Sequence, residues 1–130
     1  MLAAGMTVAF AVAASATLEL AMAERTGARL RAVEAAEAGI ATALRAGAWS
    51  AATPWAASGD LPEGGRWHAR VALAASRLDP LGGPVEWLFE ITSRGEAGSA
   101  RAELAQGFRV LGPLPGVPEL THWRQLDPPP

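Results

Sequence analysis

The sequence has 130 residues, which is enough for one domain with a modest hydrophobic core. All 11 of its cationic residues are arginine, they stand against 13 carboxylates, and they are spread along the chain. This spread gives no basic patch of the kind that nucleic-acid binding requires. The absence of cysteine from the sequence excludes disulfides, zinc–thiolate and iron–sulfur sites and cysteine nucleophiles.

The N-terminal segment carries no charge before Glu19. As a helix, its first 18 residues would rise about 27 Å, close to the ~30 Å hydrocarbon thickness of a bilayer. Three interpretations fit: a cleaved signal peptide, a retained membrane anchor that continues into a helix, and a buried core helix. Small-x-small sites at 14–16 and 21–23 suit a signal peptide, but no basic residue precedes Arg25.

The residues that follow predict an unbroken helix. There is no proline before Pro54, and Gly47 is a suitable C-cap, so the sequence predicts one helix of about 45 residues. Residues 1–23 form an apolar, transmembrane half and residues 24–47 an amphipathic half. The residues predicted to face the rest of the domain are Val33, Ala36, Ile40, Ala43 and Leu44. This arrangement favours the retained anchor, because a cleaved signal peptide gives no reason for the helix to continue.

Residues 48–65 read as a connector rich in glycine and proline, with Trp49 and Trp55 expected over the apolar edge of a sheet. In residues 66–111 the hydrophobic period changes to two, which indicates an antiparallel sheet. We expect strands at 67–73, 85–92 and 100–106, with turns at 82–83 and 94–99. The strand residues predicted to pack on the helix are Trp87, Phe89 and Ile91.

Two further features complete the predicted fold. Gly107 predicts a bulge in the last strand, and the proline-rich C-terminal tail, 112–130, leaves room for one short edge strand at 121–126. The expected fold class is therefore α+β, with one long N-terminal helix packed on a small antiparallel sheet of three to four strands.

The polar residues give no pattern typical of catalysis. His68 and His122 have no neighbouring ligand residue in the sequence, and Glu86 and Glu90 fall on the polar face of a half-buried strand. The glycine pairs lie between strands, where no helix N-terminus is available to bind phosphate. We therefore expect no catalytic residues, metal, cofactor or small-molecule substrate, and we expect that the chain is not an enzyme.

Residues 18–44 carry a resemblance to a known family. The stretch leads from a hydrophobic segment through an acidic, Met-Ala-containing run and an arginine-bearing turn into Ala-Ala-Glu-Ala-Gly-Ile at 35–40. It resembles the minor pilins of the PilX family of type IV pili, and residues 91–100 are similar to that family's strand–turn–strand region. Such prepilins also carry a short basic leader before a cleaved glycine, and most have Glu five residues after the cut. Here no basic leader precedes Gly5, and Phe10 stands at that fifth position. We therefore expect that the true start lies upstream.

The resemblance implies a structural subunit that primes pilus assembly or is incorporated at the pilus tip. It implies other pilins, the pilus assembly platform and the inner membrane as partners. The location implied is the bacterial inner membrane, with the sheet in the periplasm, and the pilus fibre. The helix residues expected at the assembly interface are Ala9, Ala13, Ala16, Glu19 and Glu24. A pseudopilin of a type II secretion system and a secreted periplasmic binding domain are the alternatives.

Overall fold

A computed structural model describes the backbone of residues 2–126 and the side chains of residues 18–126. One helix, α1, precedes five strands that form a single antiparallel sheet in chain order. The elements are α1 (Leu2–Ala46), β1 (Trp55–Asp60), β2 (Arg66–Arg77), β3 (Glu86–Ala97), β4 (Ala100–Leu111) and β5 (Glu119–Leu126). The predicted α+β class, one helix on an antiparallel sheet, is confirmed. The predicted count of three to four strands is wrong, because the sheet has five.

The observed strands differ from the predicted ones at the edges of the sheet. The three central strands fill the predicted sheet region, 66–111, and β5 contains the edge strand predicted at 121–126. The unexpected strand is β1, which lies inside the predicted connector. β1 reads Trp-Ala-Ala-Ser-Gly-Asp, which has little intrinsic preference for strand, and it is held by pairing with β2 from Trp55↔Val71 to Asp60↔Arg66. Edge strands of this kind depend on their partner, so their own sequence identifies them poorly.

The hairpin between β3 and β4 also differs from the prediction. The expected turn over 94–99 is wrong, since β3 continues through Gly95 to Ala97 and only Gly98 and Ser99 form the loop. Gly98 has a φ of 59°, which suits the first position of a two-residue hairpin loop. Gly95 serves the packing instead, because a Cβ there would collide with the Ala32 carbonyl oxygen and lie 2.6 Å from the Ala36 nitrogen.

Small residues bring α1 close to the sheet. The fully or almost fully buried helix residues are Ala32, Ala35, Ala36, Gly39, Ile40 and Ala43. On the helix side, a Cβ at Gly39 would meet the Ser93 hydroxyl and approach the Trp67 ring to 3.2 Å. Glycine and alanine let the backbones of α1 and β3 approach closely, so these small residues help to fix the position of the helix on β3.

The main core lies between α1 and strands β2–β4. Of the eight residues predicted at the helix–sheet contact, one apolar cluster holds seven: Ala36, Ile40, Ala43, Leu44, Trp87, Phe89 and Ile91. Val33 belongs to a second, smaller cluster with Ala32, Ala97 and Ala102. Phe108 occupies the centre of the main cluster, with its ring stacked 5.2 Å from Phe89 and tilted 4.7 Å from Trp49.

Two tryptophans tie the β4–β5 connection to the core. The Trp87 indole nitrogen donates to the Gly112 carbonyl oxygen at 3.0 Å, and that of Trp49 donates to the Pro115 carbonyl oxygen. Trp49 was expected over the edge of the sheet, but it is buried in the core because this connection folds over it. The proline-rich segment is therefore a fixed part of the domain, and it leads directly into β5.

Two predicted local features are confirmed. Gly47 follows the last helical residue with a φ of 61°, and its nitrogen donates to the Ala43 carbonyl oxygen at 3.3 Å. The register of β4 on β5 shifts between Gln106 and Phe108, so a bulge lies opposite Gly107. A Cβ at Gly107 would collide with the His122 ring, so this glycine makes room for a β5 side chain.

Candidate assembly surface

The N-terminal part of α1 extends past the end of the sheet. Side chains from Leu18 to Thr26 are exposed, except that Ala21 is half-buried, whereas fully buried positions begin only at Ala32. Between these two parts, Arg25 and Arg29 lie beside the β3–β4 hairpin, where they line a shallow pocket with Ser99 and Arg101. The helix thus passes the hairpin and continues beyond the domain.

An apolar stripe runs along this extension. Leu18 precedes the fully buried Ala36 by 18 residues, about five turns of helix, so the two share one face. Ala21 and Met22 lie close to the same line. We call Leu18, Ala21 and Met22 the free stripe; Leu18 is 63% exposed and Met22 58%. Arg25 and Arg29 interrupt this face beside the hairpin, and it is apolar again at the free stripe, where no sheet covers it.

The residues predicted for assembly divide into two groups. Ala9, Ala13 and Ala16 lie outside the residues whose side chains the structure describes. Glu19 and Glu24 are exposed on the extension, on either side of the free stripe, and neither forms an ion pair within residues 18–126. Both carboxylates are accessible to solvent or to a partner.

A second uncovered apolar surface lies on the helix-facing side of β5. Trp123 is paired with Gln106 and Gln125 with Leu104, so both face the same side of the sheet as the core. We call Leu120, Trp123 and Gln125 the β5 shelf; Leu120 is 56% exposed and Trp123 57%. Within the described part of the chain, α1 contacts β1 to β4 but not β5. This surface was not predicted from the sequence, although Trp123 in the predicted edge strand was an available signal.

The opposite face of the sheet is covered by charged side chains. Ion pairs join Arg109 to Glu119 at 2.8 Å, Arg66 to Asp60 at 3.0 Å and Arg94 to Glu96 at 3.2 Å. The hydrogen bond from Arg109 lowers the pKa of the Glu119 carboxyl and raises the pKa of the Arg109 guanidinium. These pairs are exposed, so solvent screens them and they add little to stability. They mark this face as hydrated.

The polar residues singled out in the sequence lie on this hydrated face. Glu90 accepts from Arg124 at 3.4 Å and lies 3.6 Å from the Nε2 atom of His122. The bulge of β5 brings His122 to Glu90, an approach that sequence spacing did not predict. Glu86 lies on the same face, and His68 is half-buried beside Arg70 and Thr92. The grouping around Glu90 is an exposed ion-pair cluster that joins β5 to β3.

An open groove lies at the end of the sheet away from the free stripe. It has a volume of about 640 Å³, is open to solvent, and is lined by residues 47–52 with Trp87, Leu114 and Pro115. Both of its indole nitrogens donate to the chain's own backbone. Over the part of the chain that the structure describes, no group of three or more His, Asp or Glu residues is placed to hold a metal ion.

Among the described residues, no stretch of helix has both the length and the hydropathy of a membrane span. The predicted transmembrane half, 1–23, lies mainly outside the residues with described side chains. Comparison of the chain with protein-family models, with curated proteins and with solved structures finds no significant match.

Proposed function

We propose that this chain is a structural minor pilin, a subunit that primes the assembly of a type IV pilus or is incorporated at its tip through α1. The observation that carries the proposal is the free stripe, a set of exposed apolar residues on the sheet-facing side of α1 beyond the end of the sheet. A filament subunit needs a helix that is packed on its own domain at one end and available to neighbours at the other.

Energetics support an intermolecular role for the stripe. Burial of a Leu or Met side chain is worth about 1.5–3 kcal/mol, and this stabilisation is lost while the side chain remains in water. Leu18 and Met22, about one helical turn apart on the stripe, are both more than half exposed. A neighbouring helix or a lipid phase would recover that free energy, so association through this segment is favourable.

The proposal extends to partners and location. Other pilins and the pilus assembly platform would contact α1, and the inner membrane would hold the subunit before assembly, with the sheet in the periplasm. The hydrated outer face of the sheet suits an aqueous compartment. In this role the chain has no catalytic task, and the ion pairs around Glu90 serve to attach β5.

Deletion of the gene tests the proposal in the bacterium that encodes it. We expect a large loss of surface pili and of twitching motility, both restored by expression of the full chain in trans. Normal piliation and motility in the deletion strain would contradict the proposal. Normal pili together with a loss of protein secretion would instead identify a pseudopilin of a type II secretion system.

A further inference from the structure

The sheet is wider than the helix that packs on it. Five strands at about 4.8 Å spacing span ~19 Å between the outer strand axes, whereas a helix with its side chains is about 10–12 Å wide. α1 lies over β3 and its two neighbours, reaches β1, and leaves β5 bare on the side facing the core. The β5 shelf is therefore the part of the helix-binding face that one helix cannot cover.

The chain thus has two matching uncovered surfaces. The free stripe is a helix face without a sheet, and the β5 shelf is a sheet face without a helix. The free stripe cannot fold back onto its own shelf, because α1 is continuous from Leu2 to Ala46 and carries the stripe past the β3–β4 hairpin. Only a second molecule can bring the two surfaces together.

We propose that the β5 shelf of one copy binds the α1 segment Leu18–Arg29 of a second copy, with Met22 against Trp123. The inference rests on the proposed function only in taking α1 as the element of assembly. The contact joins different surfaces on the two copies, so it is heterologous and each added subunit leaves a new shelf free. In this contact the α1 segment of one copy covers the β5 shelf of another, and the shelf covers the free stripe.

Charge complementarity supports this occupant. Glu37 lies one helical turn beyond Val33, which packs on the β3–β4 hairpin residues Ala97 and Ala102, so Glu37 faces the shelf side of α1. The incoming segment carries Arg25 and Arg29 directly after the free stripe.

None of these three residues forms an ion pair within residues 18–126, and Glu37, Arg25 and Arg29 are all exposed. An acidic rim on the shelf would therefore meet a basic helix segment, with the apolar residues of both copies between them.

The absence of cysteine makes a cross-linking test direct. Two differently tagged full-length copies, Met22→Cys and Gln125→Cys, are purified in mild detergent, mixed and oxidised. We expect a covalent heterodimer that contains both tags. The matched control replaces Gln125→Cys with Arg124→Cys. Arg124 is the preceding residue of the same strand, and its side chain lies on the outer face, where it pairs with Glu90. We expect at least a tenfold lower heterodimer yield with the control.

Charge exchange provides a second readout. Glu37→Arg in the Gln125→Cys copy is expected to lower the heterodimer yield several-fold. Arg25→Glu with Arg29→Glu in the Met22→Cys copy should restore the yield. Circular dichroism melts establish that each variant is folded. Any of three outcomes would overturn the inference. The heterodimer yield could equal that of the Arg124→Cys control, the only product could be the homodimer of the Met22→Cys copy, or no cross-linked product could form.

The cross-linking experiment and the gene deletion together separate this inference from the proposed function. If the full chain is required for pili but the cross-link between positions 22 and 125 does not form, the inference fails and the proposed function stands. If the cross-link forms but deletion of the gene leaves pili and motility unchanged, the contact between copies stands and the pilin proposal fails.

Discussion

The two parts of α1 use apolar residues in opposite ways. Where the helix packs on the sheet, between Ala32 and Ala43, its buried residues are alanine and glycine, with Ile40 as the one large side chain. Beyond the sheet, the large residues Leu18, Leu20 and Met22 are exposed. A helix stabilised only by its own domain would bury its largest apolar side chains. The packed part is thus adapted to close contact with β3, and the exposed order of the extension is what the proposed role in assembly requires.

The largest expected effect comes from a substitution in the core on which the packed part of α1 lies. Phe108→Ala removes a fully buried ring that contacts both Phe89 and Trp49, and we expect a loss of about 4 kcal/mol in the free energy of unfolding. Leu20→Ala, in the extension, should change it by less than about 0.5 kcal/mol. Urea denaturation followed by tryptophan fluorescence measures both. Equal effects of the two variants would contradict the division of α1 into a packed and a free part.

A smaller loss is expected from one added methyl group at the helix–sheet contact. Gly95→Ala places a Cβ against the Ala32 carbonyl oxygen and the Ala36 nitrogen, which are backbone atoms and cannot rotate away. We expect α1 to shift from β3 and the protein to lose about 2–3 kcal/mol. The same urea titration measures the loss. Stability equal to that of the unchanged protein would show that α1 is not held at short range by Gly95.

The same substitution in the adjoining part of α1 should have the opposite sign. At Gly27 the nearest atom to an added Cβ is the end of the flexible Arg31 side chain, at 3.5 Å. Gly27→Ala should therefore stabilise the helix by about 0.5–1 kcal/mol, because alanine loses less conformational entropy there. A rise in the thermal midpoint, together with higher helical content by circular dichroism, is the expected result. A drop in either quantity would indicate that Gly27 lies against another surface.

The smallest effect concerns the attachment of β5 at low pH. Since Arg109 lowers the pKa of Glu119 in the folded chain, this pair stabilises the protein above the unfolded pKa of about 4.3 and loses its effect as the pH falls through the lower folded value. The thermal midpoints of the unchanged protein and of Glu119→Gln should differ slightly at pH 7 and converge as the pH falls through the lowered pKa of Glu119. A difference that stays constant as the pH falls from 7 to 2 would exclude this ion pair as its source.

Sequence reasoning succeeded where side chains alternate strongly. Phe89 and Ile91 belong to the strand with the clearest alternation, and they lie on the face that packs on α1. The prediction failed at Gly95. This glycine suggested a turn, but in the structure it allows the backbones of β3 and α1 to approach closely. Only the three-dimensional path of α1 over β3 separates these two uses of glycine.

The edge strand β1 was hard to predict for a different reason. It is stabilised by pairing with β2, and such pairing depends on residues outside the strand itself. Of the two surfaces of the candidate site, one could be predicted from the sequence. The apolar continuation of α1 could be read from residues 18–22, whereas the β5 shelf required the knowledge that α1 stops short of β5.

The central claim is that the extension of α1 is an assembly surface. Its most direct test compares the recovery of the full chain in pili sheared from the cell surface for the unchanged protein and for Met22→Arg. Met22 is 58% exposed, so the substitution should leave the thermal midpoint unchanged. We expect Met22→Arg to fall at least tenfold in the pilus fraction at equal cellular levels, while Leu81→Arg, at an exposed loop position, stays at the unchanged level. Recovery of Met22→Arg at the level of the unchanged protein would contradict the account.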